Sequence, residues 1–139
     1  MRLTNSGMSD YRKLQVWRKA HAVALNAHRA AMGIRGNQYA AFRSQIIRAA
    51  LSIPANIVEG REQKTEAGFG RFLRIALASS SELEYHLKAA HDIEVISKAD
   101  FTSLSAQVAE VRMMLHGLLR RLDEQPSNPN RAVKNVVGR

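Results

Sequence analysis

Gln45-Ile46-Ile47-Arg48-Ala49-Ala50-Leu51-Ser52-Ile53-Pro54-Ala55-Asn56-Ile57-Val58-Glu59-Gly60 is the stretch whose reading decides the fold. With Phe42 ahead of it, Ile46, Ala50, Ile53 and Ile57 recur at steps of three and four, which is the period of one helix face. One residue earlier along the chain, Gln45, Ala49, Ser52, Asn56 and Glu59 form a second stripe of polar and small side chains. The pattern predicts a helix from about Tyr39 to Glu59, with Gly60 as its stop. Pro54 lies inside it, lacks an N–H and frees the carbonyl of Ala50, so this helix is expected to kink or split there.

Three more helices follow from the same period on either side. The first is expected from about Tyr11 to Met32, with Ser9 or Asp10 as N-cap and Gly33 as stop. Trp17, Ala20, Ala24, Ala27 and Ala31 lie along one of its faces, with Leu14 and Leu25 on one flank and Val16 and Val23 on the other. So many alanines let a neighbouring helix approach closely. The third is expected from about Thr65 to Ile96, on the stripe Leu73, Ala76, Ser80, Leu83, Leu87 and Ala90. Beside that stripe run Phe72, Ile75, Ser79, Glu82 and His86. The fourth starts near Lys98 behind a possible Ser97 cap, and Leu104, Val108, Val111, Leu115, Leu118 and Leu122 form a heptad-like seam. No stretch alternates with period two. The expected fold is all-α, an up-down-up-down antiparallel four-helix bundle with the second helix kinked at Pro54. Residues 10–124 are expected to form the bundle, 1–9 a mobile N-terminal arm and 125–139 a disordered basic tail.

Composition narrows the function. The chain has 139 residues, one domain's worth, and no cysteine, which excludes disulfides, zinc–thiolate sites and a Cys nucleophile. No run of residues is long and apolar enough to span a membrane, and the opening lacks a signal-peptide pattern, so a soluble cytoplasmic protein is expected. The net charge is +9, unevenly spread: nine bases face one acid, Asp10, up to Val58, whereas nine bases face eleven acids from Glu59 to Glu124. The outward stripe of the first helix offers Arg12, Lys19 and Arg29, with Lys13 and Arg18 beside it. A solvated face usually mixes both signs. This one does not, which marks Arg12, Lys13, Arg18, Lys19 and Arg29 as the candidate nucleic-acid-binding residues.

Enzymatic constellations are not assembled. A di-iron bundle needs several Glu-x-x-His pairs, and the chain offers only Glu82 and His86, four apart. Arg112-Met113-Met114-Leu115-His116 places three residues between Arg and His, where some four-helix ribonucleases have four to six; that spacing turns the two groups differently about the helix, so the match fails. Gly33-Ile34-Arg35-Gly36 fits a Gly-x-x-Gly loop, but no strands accompany it, and a helix end followed by a turn explains it. No cofactor and no metal are expected.

The quoted stretch resembles the signature of the four-helix-bundle family named for proteins encoded in intervening sequences of 23S ribosomal RNA genes. Leu14-Gln15-Val16-Trp17 with Ala20 is similar to that family's opening, Phe72-Leu73 through Ser79, Glu82 and Leu83 to its third helix, and Met114-Leu115 with Gly117-Leu118 to its last. The chain departs from the family at Gly33–Gln38, where relatives tend to carry an aromatic-Pro and a Glu. The resemblance implies a homopentamer without established enzymatic activity. It also implies a distant likeness to the accessory protein of diversity-generating retroelements, a basic bundle that works with a reverse transcriptase and its RNA.

The expectation is therefore a non-enzymatic homo-oligomer that binds nucleic acid, RNA ahead of DNA, through its basic surface. The alternative is a structural or adaptor oligomer whose partner is a protein such as a reverse transcriptase. A ribonuclease with an unrecognised site is the third reading. Gln45, Arg48, Ser52, Pro54, Asn56, Glu59, Ser79 and Glu82 are expected to serve structure: if their stripes face each other, they form a buried polar network that sets helix register.

Overall fold

The computed structural model describes residue 11 and residues 14–124. The expected arm and tail, the Ser9 and Asp10 caps, and Arg12 and Lys13 lie outside these residues.

Four α-helices follow one another: α1 (Gln15–Met32), α2 (Ala40–Arg61), α3 (Glu66–Asp92) and α4 (Lys98–Glu124). No strand occurs among the described residues. Each helix packs against the next, and α1 packs against α4, so the four enclose one core. The core is the set of stripes read from the sequence. Ile46, Ala50, Ile53 and Ile57 of α2 are buried, as are Leu73, Ala76, Ser80, Leu83, Leu87 and Ala90 of α3 and the whole Leu104–Leu122 seam of α4. In α1 the alanine face turns inward with Val16 and Val23, while Leu25 on the other flank stays exposed. That choice between flanks was open in the sequence.

Local chemistry accounts for most helix ends. Gly33 closes α1, its N–H donating to Ala30 O at 3.1 Å. Thr65 Oγ1 accepts from Gly68 N at 3.1 Å to cap α3, and Ser97 Oγ accepts from Asp100 N at 3.0 Å to cap α4. α1 begins at Gln15, later than its periodicity suggests, and ahead of it Leu14 N–H donates to Tyr11 O at 3.0 Å.

α2 is one continuous helix with Pro54 buried inside it. Two helix ends correct the sequence reading. α2 passes through Gly60 to Arg61, so Gly60 is no stop. Glycine serves close packing at that point: a Cβ there would lie 3.0 Å from Phe69 Cδ1 and 3.2 Å from Phe72 Cβ of α3. α3 ends at Asp92, short of Ile96. Glu94 adopts φ 65°, its N–H donates to His91 O at 2.9 Å, and Val95 N–H donates to Ala90 O at 2.9 Å. These are the two hydrogen bonds of a Schellman ending, with glutamate in the left-handed position usually held by glycine.

The connection between α1 and α2 is braced by a side chain. Arg43 Nη1 donates to Ile34 O at 2.8 Å and to Gly36 O at 3.0 Å, and Gly36 takes φ 104°. The Gly33–Gly36 motif is thus a helix end and a turn held by arginine.

Candidate functional site

The two polar stripes do face each other across α2 and α3. Ser52 Oγ and Ser79 Oγ lie 2.7 Å apart. Asn56 Nδ2 donates to Ser52 O at 2.8 Å and to Ser52 Oγ at 3.0 Å. Further along the seam, Arg48 Nη2 donates to Gln45 Oε1 at 2.9 Å and to the Glu82 carboxylate. His86 Nε2 lies 3.4 Å from the same carboxylate oxygen. Ser79 is buried, Ser52 and Asn56 are half-buried, and Gln45 and Arg48 are exposed. The seam is therefore buried only at Ser79. Glu59 does not join it: its side chain is exposed, and among the described residues only its backbone carbonyl is used, accepting from Gln63 Nε2.

Electrostatics at the seam favour a fixed ion pair. The hydrogen bond from Arg48 holds the Glu82 carboxyl below its ordinary value, against the opposing effect of partial burial, and His86 contributes in the same direction as Arg48. A carboxylate held ionised in this way is a weak base near neutral pH. The arrangement ties two helices together. Among the described residues no cluster of His, Asp or Glu is placed to hold a metal ion.

The basic stripe of α1 is less free than its sequence suggests. Lys19 Nζ lies 3.2 Å from Glu110 Oε2 of α4. Arg29 Nη1 donates to Asn26 Oδ1 at 2.7 Å, and Asn26 Nδ2 in turn donates to Gln107 Oε1 of α4 at 2.9 Å. Arg18 is exposed. Trp17 is half-buried, stacked on His21 with centroids 4.9 Å apart, and Tyr11 meets it edge-on at 5.0 Å. The pairing with α4 had no signal in the sequence, because Lys19 and Glu110 belong to the two most distant helices of the chain.

The sequence pattern of one family, described as 23S rRNA-intervening sequence protein, matches residues 12–117. The chain belongs to this family. Its motif residues Arg48, Ser52, Asn56, Ser79 and Glu82 are thus the ones that form the α2–α3 seam. The fold is also similar to the crystal structure of a protein of unknown function from the S23 ribosomal protein family of Bacteroides thetaiotaomicron VPI-5482. That likeness has a TM-score of 0.71 at 26% sequence identity, covering 76% of this chain and 98% of the other. No functionally curated protein shows significant similarity to the chain. Among the described residues no helix is long and apolar enough to cross a membrane.

Proposed function

We propose that this family member is a non-enzymatic, homo-oligomeric bundle that binds RNA through a basic surface. The observation that carries the reading is charge asymmetry: α1 has Arg18, Lys19 and Arg29 and no acid along its length, in a protein of net charge +9. Surfaces of that sign bind phosphate backbones and are sequence-tolerant. The exposed apolar side chains of Leu25, Met32, Leu51, Ile75 and Met113 are available to contacts between copies of the chain. A homopentamer is the state the family resemblance suggests. It would repeat the basic surface and multiply weak contacts.

Two measurements test the proposal. Fluorescence anisotropy with a labelled RNA should show binding at ~50 mM salt that weakens steeply as salt rises. Sedimentation at micromolar concentration should give a mass well above the 15.5 kDa of one chain. Absence of RNA binding at low salt would transfer the reading to an adaptor whose partner is a protein.

A further inference from the structure

α1 and α2 each carry one more apolar stripe than the core uses. On α1, Lys19 and Asn26 meet Glu110 and Gln107, so that flank faces α4. The other flank, Trp17, His21, Leu25, His28 and Met32, steps by three and four and lies on the side of α2. On α2, Arg48 and Ser52 turn to α3. That leaves Ser44, Ile47, Leu51, Ala55 and Val58 on the side of α1. Neither stripe holds an Asp, Glu, Lys or Arg. Leu25, Met32 and Leu51 are exposed, and Trp17, Ile47 and Val58 are half-buried. Together the two stripes form one uncharged, largely apolar face along the α1–α2 groove.

This face has the size and chemistry of an interface between protein chains. Helices of 18 and 22 residues are about 30 Å long and, side by side, about 20 Å wide, so the face offers roughly 600 Å². Stable protein interfaces start at about 600 Å² from each partner. A phosphate chain finds no cation on it. Charge then selects what covers it. Residues 15–61, which contain α1 and α2, hold seven bases against one acid, whereas residues 66–124, which contain α3 and α4, hold seven bases against nine acids. Two α1–α2 faces in contact bring like charges together, but an α1–α2 face on the α3–α4 side of another copy does not. That side lies across the bundle, and it is apolar in part. Tyr85 and Met113 are exposed, and Tyr85 lines a groove of about 490 Å³ with Glu84 of α3 and Phe101 of α4.

We propose that the α1–α2 face is a self-association surface, covered in solution by the α3–α4 side of a second copy, head to tail. Each such pair leaves one surface of each kind open, so the contact repeats until a ring closes. This rests on the homo-oligomeric reading above and names its two surfaces.

Sedimentation at micromolar concentration tests it with variants of the full chain. Leu25→Gln/Leu51→Gln alters the α1–α2 face alone and should reduce the assembly to the single 15.5 kDa chain. Tyr85→Gln/Met113→Gln alters the α3–α4 side alone and should do the same. Ile75→Gln, an exposed apolar position on the flank of α3 that faces α2, should leave the assembly intact. Mixed one to one, the two double variants should form a pair of chains, because each keeps the surface the other has lost. Circular dichroism checks helicity. Should either glutamine pair lose it, Leu25→Ala/Leu51→Ala and Tyr85→Ala/Met113→Ala are expected to dissociate the assembly in the same way. An assembled wild type whose mass survives the α1–α2 changes overturns the proposal, as does equal dissociation by Ile75→Gln. Dissociation by the α1–α2 changes without any effect at Tyr85 and Met113, or a mixture that forms no pair, overturns the head-to-tail contact. A wild-type chain that stays at 15.5 kDa overturns the homo-oligomeric reading itself and leaves the face to a different protein, a result read without any variant.

Discussion

Ser52 and Ser79 meet hydroxyl to hydroxyl at 2.7 Å, one from each of two helices, with Asn56 donating to Ser52 from one turn further along α2. Two small side chains in contact let α2 and α3 approach closely, and the hydrogen bond fixes which turns sit opposite. Removing one partner leaves a buried or half-buried hydroxyl short of a bond. Ser79→Ala should destabilise the bundle by about 0.5–1.5 kcal/mol, because Ser52 keeps Asn56. Ser52→Ala and Ser79→Ala combined should cost less than the sum of the two, since each single change already breaks the same bond. Urea denaturation of the four proteins in the cycle measures the difference. Strict additivity would mean that the serine contact contributes nothing.

Glycine at two helical positions should respond oppositely to alanine. A Cβ at Gly60 would meet the buried ring of Phe69 at 3.0 Å, so Gly60→Ala should destabilise by about 1–3 kcal/mol despite alanine's better helix propensity. A Cβ at Gly117 would meet only the ends of Arg120 and Arg121, at 3.9 and 4.0 Å. Gly117→Ala should stabilise by up to about 1 kcal/mol. Thermal unfolding of both variants shows whether the signs differ.

Glu94 sits in the left-handed position that ends α3 and is exposed there. Glycine adopts this backbone without a Cβ clash, though it gains entropy in the unfolded chain. Glu94→Gly should therefore stabilise the protein by about 0.5–1 kcal/mol, read as a higher midpoint in denaturant at unchanged slope.

The Arg48–Glu82 pair makes a pH-dependent contribution whose sign follows from the lowered Glu82 carboxyl. The stabilisation is fully present above the ordinary carboxylate value, where both folded and unfolded chains carry the charge. It is lost as pH falls through the lowered folded value. Both side chains are more than a third exposed, so its size should stay under about 1 kcal/mol. Glu82→Gln should leave stability in strong acid nearly unchanged and lower it slightly at neutral pH, with the gap between wild type and variant opening across the acidic range. A constant gap at all pH values would count against the ion pair.

The helices and their buried faces were legible because an amphipathic helix writes its burial pattern at fixed spacing. Ile46, Ile53, Leu73, Leu83, Val108 and Leu115 are all fully or almost fully buried, as their stripes imply. The pairing of the polar stripes was legible for a related reason: Ser52 and Asn56, like Ser79 and Glu82, interrupt otherwise apolar helices on the faces next to the core. Ends and contacts were not legible in the same way. Gly60 reads as a helix stop by residue type, and only the Phe69 ring packed against it shows that the missing Cβ serves packing. Glu94 carries no residue-type signal for a left-handed turn, because the two hydrogen bonds closing α3 are made by the backbone.

By itself the sequence determined the all-helical class, the positions of four helices, the core stripes and the concentration of positive charge, since these depend on composition and on spacing along one helix. Only the tertiary structure decided which flank of α1 is buried, that Lys19 answers Glu110, and that Glu59 turns to solvent. Those outcomes depend on which helix lies beside which. Relative helix placement is a property of the packed core, and no spacing along a single helix encodes it.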